Sequence, residues 1–169
     1  MNEDLLNISK WLIANKLTLY TTKTEFMLIG SRQKLNTIKD SLVVSINGTP
    51  VNQVSTSKSL GVFIDANLTW GSHIEKLAKK IPSCIAAIKR VRQFFPPATL
   101  HLIYKAFIQP HFDYCNVVWG NCGVKLADKL QNVQNRAARA LTFSSYDAYA
   151  SQLFQNFNWK NLSTQCHIQ

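Results

Sequence analysis

SKSLGVFIDANLTWGSHIEKLAKKIPSCIAAIKRVRQFF, residues 57–95, contains the change of period that sets the architecture. Its first part, SLGVFID, reads as a short apolar strand with Gly61 inside it. A glycine there marks a bulge or a close approach of another backbone or a ligand. From Trp70 onward the repeat becomes helical: Ile74, Leu77, Ile81, Ile85 and Ile88 return to one face. Lys76, Lys79, Lys80, Lys89, Arg90 and Arg92 fall elsewhere around that cylinder. Pro82 lacks the N–H that an interior turn requires, which predicts a kink or a split into two helices.

Working back toward the N-terminus, DLLNISKWLIAN (4–15) predicts a helix, with Leu5, Ile8, Leu12 and Ala14 near one face and Asp4 available as a cap. LTLY (17–20) alternates as a strand does, EFMLIG (25–30) reads as a second strand, and SRQKLNTIKD (31–40) as a short polar helix or turn. LVVSI (42–46) and VNQVS (51–55) flank NGTP, and Asn-Gly is the preferred dipeptide of a two-residue hairpin turn. Short antiparallel strands are therefore expected across 1–69.

Toward the C-terminus, FFPP (94–97) stops the basic helix. ATLHLIYKAFI (98–108) predicts another, and Pro110 bends the path into HFDYCNVVWG. KLADKLQNVQNRAARAL (125–141) repeats the amphipathic pattern through Leu126, Leu130, Val133, Ala137 and Leu141, and carries a second basic strip, Lys125, Lys129, Arg136 and Arg139. The tail through WKNL (159–162) predicts one more helix with aromatic anchors. The expectation is an α+β chain: a small α/β portion, 1–69, followed by a basic helical bundle, 70–169. Trp11, Trp70, Trp119 and Trp159 are expected in cores, because packing explains large aromatics more often than base stacking does.

Composition limits the function classes. The 169 residues suffice for one domain or two small lobes, and 46% apolar residues can build a packed interior. No apolar run approaches the roughly 20 residues of a membrane span. Glu3 and Asp4 stand where a secretion signal would be positive, so an intracellular chain without a membrane partner is expected. Cys84, Cys115, Cys122 and Cys166 have no repeated spacing and suit reduced thiols. A zinc site drawn from His111, Cys115, Cys122 and His167 lacks a CxxC pair to support it. The net charge is +10, and it is uneven: 1–65 holds seven Lys/Arg against five Asp/Glu, while 66–169 holds twelve against four. A basic half beside a near-neutral one points to an anionic partner, with nucleic acid foremost, or to a face that merely aids solubility.

Five segments in order, KLTLYTTKTEFMLIG, INGTPVNQVSTSKSLGVFIDANLTWGSHIEKL, TLHLIYKAFIQPHFDYCNVVWG, QNVQNRAARALT and the stretch up to WKNL, resemble the reverse transcriptase of non-LTR (LINE-type) retrotransposons, jockey and CR1-like groups in particular. The resemblance implies that 1–69 corresponds to the late palm, with motif D around KLTLYTTKTEFM and the primer grip at SKSLGVFID. It implies that the helices from His73 onward correspond to the thumb and the post-thumb region. Leu60, Gly61 and Val62 would then lie against a primer end. Lys23 matches the motif D lysine that assists pyrophosphate departure, an alternative to an ordinary surface lysine in a polar turn. Tyr20 departs from the asparagine usual there, which puts the nucleotide contact in doubt.

The resemblance also implies what this chain does not carry. The family polymerises with two divalent metal ions, Mg, held by aspartates that include an Asp-Asp pair. No Asp-Asp occurs in this sequence; apart from the adjacent Glu3 and Asp4, the acids Glu25, Asp40, Asp65, Glu75, Asp113, Asp128 and Asp147 are isolated. Fingers, template-binding parts and an endonuclease domain are expected to be missing, and the chain is expected not to polymerise alone. The remaining expectations are nonspecific binding of RNA, DNA or an RNA–DNA hybrid through Lys76, Lys79, Lys80, Lys89, Arg90, Arg92, Lys125, Lys129, Arg136 and Arg139, or association with a protein through exposed palm surface. A decayed fragment with no selected activity is the other reading.

Overall fold

Asn47 and Gly48 both adopt left-handed dihedrals, with φ of 52° and 78°. That is the backbone of the turn expected from Asn-Gly, and it joins two antiparallel strands, Ser45–Ile46 (β2) and Thr49–Pro50 (β3). The strand pairing runs from Ile46–Thr49 to Ser45–Pro50, and one further backbone bond, from the Val51 N–H to the Val44 carbonyl at 2.9 Å, extends it past the proline. The chain then turns away, and Asn52–Gln53 (β4) pairs in parallel with Glu25–Phe26 (β1). Among the described residues the expected antiparallel pairing holds for β2–β3 and for a later hairpin, and this one pair is parallel. Residues 2–38, 42–157 and 159–162 are described by this computed structural model. The fold is α+β, in two compact units, Met1–Thr69 and Trp70–Gln169.

In the first unit the helix Asn2–Ala14 (α1) ends where Lys16 turns left-handed, φ 58°, and Leu17 N–H donates back to the Leu12 carbonyl at 2.9 Å. That cap leaves 17–20 irregular rather than a strand. Leu19 still reaches the core of Val44, Ile46 and Val51, beside Leu5, Phe26 and Leu42. Ser9 is buried, and its hydroxyl accepts from the Asn47 side-chain amide at 2.9 Å, tying α1 to the hairpin turn. Arg32–Ile38 forms the expected polar helix (α2), whose expected end at Asp40 lies outside the described residues. Trp11, expected in a core, is 60% exposed, because at 100° per residue it lies on the side of α1 away from the buried Ser9.

The opening stretch is also corrected. Thr56–Ser59 (β5) and Val62–Asp65 (β6) form an antiparallel hairpin, and Leu60 and Gly61 are its two turn residues. Their φ angles, 47° and 88°, are both positive. A two-residue turn of this twist requires that, and glycine alone meets it without strain. Gly61 therefore reverses the chain instead of interrupting a strand, and only Val62 of the three candidate residues belongs to a strand. Asp65 organises the exit: its carboxylate accepts from the backbone N–H of Asn67 and Thr69 at 3.2 and 3.0 Å and from the Thr69 hydroxyl at 3.1 Å.

The second unit is helical. Gly71–Val91 (α3) runs unbroken through Pro82, so the expected split does not occur. One missing hydrogen bond costs less than abandoning the burial of Ile81, Ile85 and Ile88, which are at most 4% exposed. Pro97–Phe107 (α4) opens with proline in its first turn, where no N–H is needed. Gln109–Asp113 (α5) and Asn116–Trp119 (α6) lead to Val124–Thr142 (α7) and Ala150–Phe157 (α8). α3 and α7 pack closely, since Ala137, Ala138 and Ala140 on α7 are small and buried. Trp70 and Trp119 are buried as expected. Trp159 is half-buried and stacks on Tyr104, ring centroids 3.9 Å apart.

Candidate nucleic-acid interface

The cations of α3 do not form one surface. At 100° per residue, Lys76, Lys79, Lys80 and Arg90 fall within about a 100° sector, whereas Lys89 and Arg92 lie on another side. Lys76, Lys79, Lys80, Lys89 and Arg90 are exposed, and Arg92 is half-buried. On α7 the four expected residues do share one strip: Lys125, Lys129 and Arg136 are exposed and Arg139 half-buried. Lys129 Nζ lies 3.6 Å from the Glu75 carboxylate, near the start of both helices. Arg92 Nη1 donates to the Ala140 carbonyl at 2.8 Å, near the end of both. The two contacts fix α3 and α7 as parallel neighbours, with both C-termini at one end.

At that end Lys89, Arg92, Arg136 and Arg139 converge. With Ser144 and Tyr146 they line a cleft of about 270 Å³. Helix C-termini carry partial negative charge, so cations are stabilised there before any ligand is considered. Two of the guanidinium groups are held by the fold. Arg92 lies 4.4 Å over the Phe143 ring while bonded to Ala140, and Arg139 Nε donates to the Ala148 carbonyl at 2.9 Å. Phe143, left-handed at φ 58°, ends α7 and turns Ser144 toward the cleft side. The neighbouring acid is Asp147, whose carboxyl is held below its usual range by a hydrogen bond from Ser145, then by its own backbone, with Arg139 adding to the effect.

Ser144 and Tyr146 were not anticipated from the sequence. The legible signal was their position, directly after the end of a basic helix, in the polar run SSYD. Gln131 and Gln134 were missed as well. Gln134 is 2% exposed and donates to the Lys160 carbonyl at 3.2 Å, while Gln131 accepts from the Leu162 N–H at 3.0 Å. These amides fasten the tail to α7. Tyr104 is held far above the usual phenol range by burial, despite a hydrogen bond with Gln134.

Lys23 ends a single 3₁₀ turn, Thr21–Lys23, and its ammonium lies 5.3 Å from the Tyr20 ring centroid. Leu60 is 88% exposed at the hairpin tip. Among the described residues no group of three or more His, Cys, Asp or Glu could hold a metal ion; His167, Cys166 and Asp40 lie outside them. Among the described residues no helix is long and apolar enough to cross a membrane.

Burial lowers three histidines from the ordinary value of 6.5: His73, packed 5.7 Å from the Trp119 ring; His101, with Lys105 adding; and His111, with Lys80 adding. Below 6.5 the unfolded chain takes up protons that the folded chain resists, so folding stability falls as pH drops through that value. The melting midpoint is therefore expected to decrease from pH 7 to pH 5. A His73→Gln variant is expected to show a shallower dependence over the same range, read by thermal denaturation at each pH.

The chain is similar to two curated proteins of Drosophila melanogaster. It is 25% identical over 128 residues to a probable RNA-directed DNA polymerase from transposon BS, a match covering 72% of this chain and 14% of that protein. It is 28% identical over 102 residues to a probable RNA-directed DNA polymerase from the transposon X-element, covering 59% and 11%. The chain thus spans a small part of the length of both relatives. No family model and no solved structure matches it.

Proposed function

We propose that this chain is part of a non-LTR retrotransposon RNA-directed DNA polymerase, comprising late-palm, primer-grip and thumb segments, and that its helical unit binds nucleic acid without sequence preference. The observation that carries the reading is the similarity to two transposon polymerases. The cations exposed along α3 and α7 support it, because phosphate contacts need charge and reach rather than a base-reading element. The β5–β6 hairpin tip, Leu60 and Gly61, is the primer-grip segment of this reading, presented at a turn. The chain itself is proposed to be catalytically inactive, since its acids are dispersed and two-metal chemistry needs them converged. The test is binding of the folded chain to a labelled RNA–DNA hybrid and to duplex DNA across a salt series. Micromolar affinity that declines with salt supports the proposal, and absence of binding at low salt overturns it.

A second reading rests on α1. Ile8, Trp11 and Ile13 of α1 and Leu17 just beyond it are 53%, 60%, 68% and 51% exposed, apolar surface spread around the helix and its exit that nothing in this unit covers among the described residues. It favours association with another polypeptide, either further palm structure or a second copy. Purified chain is expected to self-associate with increasing concentration in light scattering, and a Trp11→Lys/Ile13→Lys variant to move toward monomer. A clean monomer for the wild type counts against this reading.

A further inference from the structure

The cleft at the paired C-termini of α3 and α7 differs from the rest of the basic surface in being concave and preorganised. Arg92 and Arg139 each spend one N–H on a backbone carbonyl, Ala140 and Ala148, at 2.8 and 2.9 Å. A guanidinium has five N–H donors, so each keeps several for a ligand while its orientation is already fixed. Ordering two long side chains ahead of binding removes much of the entropy that flexible surface lysines lose on contact. Arg136 and Lys89 add two further charges to the lining, and Ser144 adds a hydroxyl.

At the lip stands Tyr146, 86% exposed, with the Arg139 guanidinium carbon 5.7 Å from its ring centroid. Burial does not explain an aromatic in that position. Its ring offers a flat apolar face beside a site of concentrated positive charge. One oligonucleotide component presents an anion and a planar ring at this separation: a nucleotide whose base is not stacked in a helix. In duplex the base is paired and stacked inside, so its face cannot meet Tyr146. A cleft of about 270 Å³ admits one phosphate with its flanking ester oxygens, and not a groove-spanning contact.

We infer that this cleft seats a single backbone phosphate of an unpaired nucleic-acid strand, with the adjoining base stacked on Tyr146. The inference rests on the nucleic-acid reading above and narrows it to a strand type and a place. Asp147, within electrostatic reach of Arg139, opposes the anion, but the four cations of the lining outnumber it and make the site salt-sensitive.

The test compares a twelve-nucleotide oligothymidylate with a blunt twelve-base-pair DNA duplex, using the full chain at low salt. The proteins are wild type, Tyr146→Ala, Arg136→Gln and Asp147→Asn, each checked for folding by circular dichroism. Loss of one base-stacking contact is expected to weaken oligothymidylate binding about tenfold in Tyr146→Ala and to leave duplex binding unchanged. Arg136→Gln is expected to weaken the single strand and lower its salt slope by roughly one phosphate contact. Asp147→Asn is expected to strengthen it. Equal binding of both ligands by wild type, with Tyr146→Ala unaffected, overturns this inference and leaves general nucleic-acid binding standing. No binding of either ligand overturns both.

Discussion

Glutamate at Lys76, Lys79, Lys80 and Arg90 together is expected to take RNA–DNA hybrid binding from the micromolar range to below detection. The four residues share one sector of α3, so a strand running along that sector would meet all of them. Each phosphate contact releases a counterion and contributes about 0.9 to the slope of log affinity against log salt. Four lost contacts therefore remove roughly three and a half decades of affinity at 0.1 M salt relative to 1 M. Reversal of charge adds repulsion to that loss. The fold should tolerate the change, since all four side chains are exposed and glutamate at Lys76 lies near the helix N-terminus, where it complements the macrodipole. Filter binding across salt, with circular dichroism on the same samples, reads both quantities. Binding within threefold of wild type would make this strip an ordinary solvated helix face.

Trp119→Ala is expected to be the most damaging single substitution in the helical unit. The indole is 2% exposed, it packs beside His73 at 5.7 Å, and its Nε1–H donates to the Tyr114 carbonyl at 2.8 Å. Truncation leaves a large cavity and removes the hydrogen bond to Tyr114 at once, a cost of about 3–5 kcal/mol. Domains of this size have roughly 5–15 kcal/mol in total. The melting midpoint should fall by more than about 10 °C. Trp119→Phe keeps most of the volume and loses only the hydrogen bond, so its midpoint should lie between the two. If Trp119→Ala melted within a few degrees of wild type, the surroundings would have to collapse far more readily than this packing allows.

The candidate interface was only half legible. Helical periodicity identified every cation on α3 and α7, because a repeat of 3.6 needs nothing beyond the chain itself. It could not show that Lys89 and Arg92 separate from Lys76, Lys79, Lys80 and Arg90, then join Arg136 and Arg139. That grouping depends on which flanks of two helices face each other, some forty-five residues apart in sequence. For Ser144 and Tyr146 the sequence offers only their position after a basic helix, since a loop side chain acquires a neighbourhood only when the helix ends around it have been placed.

The sequence by itself determined the elements whose signal is local. Asn47-Gly48 specified its turn through two positive φ angles, and the apolar faces of α3 and α7 specified their burial. It also determined the charge imbalance and the absence of an Asp-Asp pair. Tertiary structure alone decided the rest. It kept α3 whole through Pro82, because burying Ile81, Ile85 and Ile88 against a neighbouring helix outweighs one absent hydrogen bond. It made Leu60 and Gly61 a turn, because Ser57–Ile64 pairing fixes the register around them. Parallel pairing of β1 with β4, and the cleft between the ends of α3 and α7, join residues far apart in the chain, and no local pattern encodes which distant partner a segment will meet.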